Sequence, residues 1–115
     1  MDKVVLFAFN GDPMCFIHVL LNAIDFSDRG FEVKLVIEGS AAGLIGNIDE
    51  PKHELHTLYG EVKKKVLLVG ICKACAAKMG TLKTAQAQGL HLLDEMSGHP
   101  SMAAFMDQGY KVITF

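Results

Sequence analysis

Five apolar runs recur along this chain, and the stretches between them carry a helical rather than a strand period. Lys3 to Phe9 is an unbroken β-branched and aromatic run, the pattern of a strand buried on both faces. Asp12-Pro13 then offers a capping carboxylate and a proline suited to the first helical position. Phe16, Val19, Leu20, Ala23 and Ile24 follow at helical spacing, and Gly30 ends that helix. Phe31 to Ile37 predicts a second strand, turned by Gly39-Ser40. Residues 41–50 are small and apolar with two glycines, and read as a short helix followed by a loop. Pro51 is expected to open the next helix, with Leu55, Leu58, Tyr59 and Val62 as its apolar stripe and Lys63-Lys64-Lys65 at its C-terminal end.

Val66 to Ile71 is the third and most apolar strand pattern. A helix is predicted from Lys73 to Met79 with Gly80 as its cap, then a second helical piece from Thr81 to Gln88, ended by Gly89. Leu90 to Leu93 reads as a short fourth strand. His99-Pro100 is expected to start a last helix with Met102, Phe105 and Met106 inward, and Tyr110 to Phe115 is the fifth strand. Buried strands alternating with helices predict one α/β domain over residues 1–115, in three α/β/α layers around a five-stranded, mainly parallel sheet. In such sheets the working groups gather at the carboxyl ends of the strands. The loops that begin at Asn10, Glu38, Cys72 and Asp94 therefore form the expected functional edge.

Composition narrows the function. Half of the 115 residues are hydrophobic and 21% are charged, enough for a real core; the high share means either that both faces of a sheet are buried or that some apolar surface enters an oligomer interface. A formal net charge of -2 with no basic-aromatic stripe gives no case for direct nucleic-acid or anionic-membrane binding. No apolar run reaches membrane-span length, and Val4 to Phe9 is too short for a signal-peptide core, so a cytoplasmic protein is expected. Three cysteines in such a chain point to free thiols rather than a disulfide framework. No dinucleotide fingerprint, Walker sequence or nucleophile-elbow serine occurs, and neither a cofactor site nor a metal site is assigned.

The chemistry centres on Cys72-Lys73-Ala74-Cys75 at a strand-to-helix junction. Cys72 falls at the N-cap, where unpaired N–H groups favour an anion, and Lys73 and Lys78 add positive charge. Thiols in such places drop from about 8.5 into roughly the 3.5–7.5 range, and the thiolate is the nucleophile. Glu38, Asp94 and Glu95 fall near the same rim and oppose ionisation. Three readings stand: Cys72 as a reactive, persulfide-carrying thiol, which is favoured; a Cys72–Cys75 redox pair; and two small buried hydrophobes. Cys75 is a candidate resolving thiol, and His99, at the same edge, a candidate proton carrier. Cys15, in the first turn of the first helix and near the same edge, is a second candidate to resolve a disulfide or persulfide from Cys72, but reads mainly as a residue buried beside Phe16. His53 and His56 form an H-x-x-H pair on a helix that has the spacing to join the CxxC on zinc, but they read as exposed surface.

With these residues in place, the chain resembles the DsrE/DsrF-like family of sulfur-relay proteins, TusD-type subunits included. The resemblance runs through VVLFAF, the helix ending in Asp28-Arg29-Gly30, the strand from Val33 to Gly39, and the third strand followed by Cys72 with Gly80 eight residues on. It implies a five-stranded parallel sheet, a homo-trimer or homo-hexamer, and sulfur carried as a Cys72 persulfide between donor and acceptor proteins. Cys75 has no counterpart in the TusD-type pattern. The alternatives are a CxxC redox or regulatory module and a non-catalytic oligomeric binding subunit.

Overall fold

The strands are β1 (Lys3–Ala8), β2 (Glu32–Ile37), β3 (Leu68–Cys72), β4 (His91–Leu93) and β5 (Lys111–Thr114). In the computed structural model, which describes residues 2–115, they form one sheet in the order β4-β3-β2-β1-β5, every neighbouring pair parallel. The helices are α1 (Pro13–Asp28), α2 (Ile45–Ile48), α3 (His56–Lys64), α4 (Lys73–Lys78), α5 (Leu82–Ala87) and α6 (Met102–Asp107), with a 3₁₀ turn at Gly39–Leu44. This is the three-layer α/β/α fold expected from the alternation of patterns.

Alternation along the strands divides the core in two. Val4, Leu6 and Ala8 of β1, with Val33, Leu35 and Ile37 of β2 and Ile71 of β3, face Phe16, Val19, Leu20 and Ala23 of α1, Tyr59 and Val62 of α3, Ala76 and Ala85. Val5, Phe7 and Val36 face the other way, against Phe105 and Tyr110, with Met102 and Leu93 at the margin. Phe7 stacks on Phe9 at 6.2 Å and meets Phe105 edge-on at 5.8 Å. Losing a fully buried phenylalanine of this kind costs about 3–5 kcal/mol. Polar ties join the connecting helices: Tyr59 Oη donates to Gln88 Oε1 at 2.7 Å, Gln88 Nε2 to the Ile45 carbonyl at 2.9 Å, and Thr81 Oγ1 to the Ala42 carbonyl at 2.8 Å.

Asp12 caps α1 as expected, its carboxylate accepting the Met14 N–H at 2.9 Å. Four expectations need correction. The helix expected at Pro51 begins at His56; the preceding turn is held by His53 Nδ1, which accepts the Leu55 N–H at 3.0 Å. Val66 is not in β3. It stands 81% exposed with φ 60°, because α3 closes with Val66 N–H on the Lys63 carbonyl and Leu67 N–H on the Val62 carbonyl. The last helix starts at Met102, not at His99-Pro100, with Ser101 Oγ accepting the Ala104 N–H at 3.2 Å. Met106 is 62% exposed rather than inward, since this six-residue helix turns Phe105 and Met102 to the sheet. Among the described residues no helix is long and apolar enough to cross a membrane.

Candidate functional site

Cys72 is both the last residue of β3 and the N-cap of α4. Its Sγ accepts the Cys75 N–H at 3.4 Å, so the strand's end and the helix's first turn share one sulfur. Ile71 pairs with Ile37 and faces the larger core; Cys72 and Glu38, each one residue further, turn to the opposite face. Glu38 is fixed there by its own N–H, which donates to the Ala8 carbonyl at 2.8 Å.

The connection from β4 to α6 supplies the third group. The Ala74 N–H donates to the Gly98 carbonyl at 2.9 Å, clamping this loop onto the first turn of α4. Gly98 has φ 91°, and a Cβ there would sit 3.2 Å from the Ala74 Cβ, so conformation and space both call for glycine. The next residue, His99, is thereby laid over the thiols: its Nδ1 lies 3.1 Å from Cys72 Sγ and 3.9 Å from Cys75 Sγ. Glu38 Oε1 is 3.9 Å from the same nitrogen. One donor atom from each of Glu38, Cys72, Cys75 and His99 lies within 4.8 Å of the others.

The electrostatics differ from the N-cap argument. Burial pushes the Cys72 thiol up, and the neighbouring Cys75 and Glu38 push further, to about 12; only the Cys75 N–H pulls the other way. The lowered value expected from a helix terminus is therefore overturned. A six-residue helix contributes one N–H against the desolvation of a side chain at 0% exposure. The Lys73 charge is directed elsewhere, at 3.7 Å from Asp94 on the surface. Burial also raises Glu38 above the usual carboxylate range, offset in part by His99 and by a hydrogen bond from Cys72.

Access separates the two thiols. Cys72 is fully buried, whereas Cys75 is half-buried and lines a pocket of about 250 Å³ with Gly39, Ser40, Lys78 and Met79. Glu38 borders a second groove of about 370 Å³, beside Phe9, Met96 and Met102.

Three candidates from the sequence thus meet: Cys72, Cys75 and His99. Cys15 is half-buried on α1 and outside this group. His53 and His56 are half-buried rather than exposed, only His56 is helical, and neither joins the CxxC. Glu38 was expected only as an opposing charge and is a full member of the cluster. Its signal was an acidic residue placed directly after the apolar end of β2, Leu35–Ile37.

Fold and site define a parallel α/β protein with a thiol, imidazole and carboxylate cluster at the carboxyl edge of its sheet. The sequence model of the DsrE/DsrF-like family matches residues 3–115, and the chain belongs to that family. An uncharacterized protein of Methanocaldococcus jannaschii is 29% identical over 96 residues, spanning 84% of this chain and 76% of that protein. An uncharacterized protein of Archaeoglobus fulgidus is 46% identical over 39 residues, spanning 34% of this chain and 64% of that protein. No solved structure matches the chain.

Proposed function

We propose that this protein is a cytoplasmic sulfur-relay component that stores sulfur as a persulfide on Cys72, between a donor and an acceptor protein. Family membership supports the sulfur-relay role. The observation that carries the site is the 3.1 Å separation of Cys72 Sγ and His99 Nδ1, since a buried thiol near neutral pH needs a base beside it. Full burial of Cys72 and partial exposure of Cys75 favour Cys75 as the receiving thiol.

Cys75 attacks the outer sulfur of a donor persulfide, R–S–SH. The donor S–S bond breaks, R–SH leaves with the thiol proton, and Cys75–S–SH forms. Cys72 then gives its proton to His99 and attacks the outer sulfur of Cys75–S–SH. Cys72–S–SH forms, and Cys75 recovers its thiol with the proton from His99. An acceptor thiol removes the sulfur by the reverse path. The family pattern favours a homo-oligomer, trimer or hexamer, as the working form.

Incubation with a persulfide donor, followed by peptide mass spectrometry, tests this: a gain of about 32 Da on Cys72 marks one added sulfur. If Cys72→Ser retains as much cyanide-labile sulfur as the parent, the reading fails. The redox alternative is favoured by the closeness of the two sulfurs, and a loss of two hydrogens shared by Cys72 and Cys75 under mild oxidant is its signature.

A further inference from the structure

Glu38, Cys72, Cys75 and His99 come from three separate segments of the chain, yet their donor atoms converge within 4.8 Å. From these four side chains we infer a binding site for a thiophilic divalent cation of the zinc class, coordinated by Cys72 Sγ, Cys75 Sγ, His99 Nδ1 and a Glu38 carboxylate oxygen.

The spacing fits. Metal–sulfur bonds of about 2.3 Å and metal–nitrogen or –oxygen bonds of about 2.0–2.2 Å, set at tetrahedral angles, require donor separations of roughly 3.3–3.8 Å. The cluster shows 3.1 Å from Cys72 Sγ to His99 Nδ1, 3.9 Å from Cys75 Sγ to the same nitrogen and 3.9 Å from that nitrogen to Glu38 Oε1. Shifts of a few tenths of an ångström in side chains bring these into range. The His99 nitrogen that faces both sulfurs is the one that faces the carboxylate, as a shared ion requires.

The donor chemistry selects the ion. Two thiols and an imidazole favour zinc-like cations over magnesium or calcium, which take oxygen ligands. On binding, both thiol protons leave to solvent and the two thiolates with the carboxylate surround the 2+ charge. Glu38 also lacks any other cation: it is 7% exposed, and among the described residues its one ion-pair contact is His99. Its carboxylate is therefore placed to face the two sulfurs and the imidazole rather than a surface cation.

The frame is rigid on three sides. Cys72 and Cys75 are set by the β3–α4 junction, His99 by the clamp from Ala74 to Gly98, and Glu38 by the end of β2. All four protein ligands being present, the ion occupies both thiols. On the sulfur-relay reading, which this consequence rests on, metal and sulfur compete, and a bound ion holds the carrier inactive.

The test uses the reduced, metal-free full chain titrated with Co(II), followed by Zn(II). One Co(II) per chain is expected, with thiolate-to-cobalt charge transfer and the strong visible bands of a tetrahedral site, both lost on displacement by Zn(II). Cys75→Ser, His99→Gln and Glu38→Gln are each expected to weaken binding at least about 10–100-fold, the loss seen even for groups that only support a ligand. Cys75 and His99 both reach the surface and Glu38→Gln keeps the side chain's shape, so the variants are expected to keep the parent's circular dichroism, and exposed His18→Gln is expected to bind as the parent does. Absence of one-to-one binding, a cobalt spectrum without thiolate bands, or parent affinity in Cys75→Ser overturns the site. Sulfur loading is scored separately on metal-free protein. Cobalt bound without sulfur uptake upholds the site and overturns the relay reading; sulfur uptake without cobalt binding does the opposite.

Discussion

Cys72 Sγ lies 3.1 Å from His99 Nδ1, and no strand or helix contains both. The two are joined by a loop clamp, so the base belongs to one segment and the thiol to another. If His99 carries the Cys72 proton, His99→Ala slows sulfur transfer onto Cys72 by about 10²–10⁴-fold, the usual worth of a general base. The His99 side chain is 41% exposed, so the fold should survive its truncation. Single-turnover loading followed by quenched peptide mass spectrometry measures the rate. Transfer at the parent rate with the imidazole absent refutes the role.

Burial orders the two thiols. With a water-soluble maleimide under native conditions, Cys75 is expected to be modified before Cys72, because Cys72 is at 0% exposure and its thiol is held neutral, pushed up to about 12. In urea the two should react at similar rates. Faster native labelling of Cys72 contradicts both the burial and the direction of the shift.

Gly98 is a positioning residue with a testable cost. Its φ of 91° and the 3.2 Å approach to the Ala74 Cβ make Gly98→Ala strained, by about 1–3 kcal/mol for a residue forced into a sparse conformation. The urea midpoint should fall. A purely structural role would stop there. Loss of the clamp also moves His99, so sulfur loading of Cys72 should fall well beyond the loss in Gly98→Ala's folded fraction. Cys75 labelling, which needs no base from this loop, should not.

Much of this architecture was legible in the residue pattern. Buried parallel strands are rich in apolar, β-branched residues, and Lys3–Phe9 and Phe31–Ile37 show that pattern at strand length between turn signals. The thiol pair was visible because it is local. Glu38 was not, because only the pairing of β2 with β3 sets it beside Cys72. The neutral state of Cys72 was also hidden: a cap position is a local feature, whereas desolvation depends on the loop that covers it. Val66 reads as strand for a physical reason too, since a β-branched residue in a left-handed cap has the composition of the first residue of a strand.

Alkaline pH probes the other face of the sheet. Tyr110 donates to the Glu32 carboxylate and lies under Lys34 Nζ, 4.9 Å from the ring centre. Burial and the Glu32 charge push its phenol up to about 12. The folded-state value lies above the unfolded value near 10, so the neutral phenol's contribution is complete below about pH 10 and is lost as pH rises through about 12. Tyr110→Phe should flatten that part of the stability curve, at the cost of leaving Glu32 without its donor. Tyrosinate absorbance should show no ionisation at pH 10 in the folded protein. A phenol that ionises there at its ordinary value would remove the basis for the prediction.

The cap of α3 offers a gain in stability. Val66 has φ 60° in the position that helices usually give to glycine, and at 81% exposure its side chain packs against little. An L-residue held in this region costs roughly 1–2 kcal/mol, and a β-branched one is at the unfavourable end. Glycine removes that strain but adds about 0.5–1 kcal/mol of unfolded-state entropy. Val66→Gly should therefore stabilise the fold by about 0.5–1 kcal/mol, seen as a higher urea midpoint at unchanged slope. The cluster at Cys72 is untouched, so sulfur loading and cobalt affinity should equal those of the parent. A lower midpoint would refute the predicted gain.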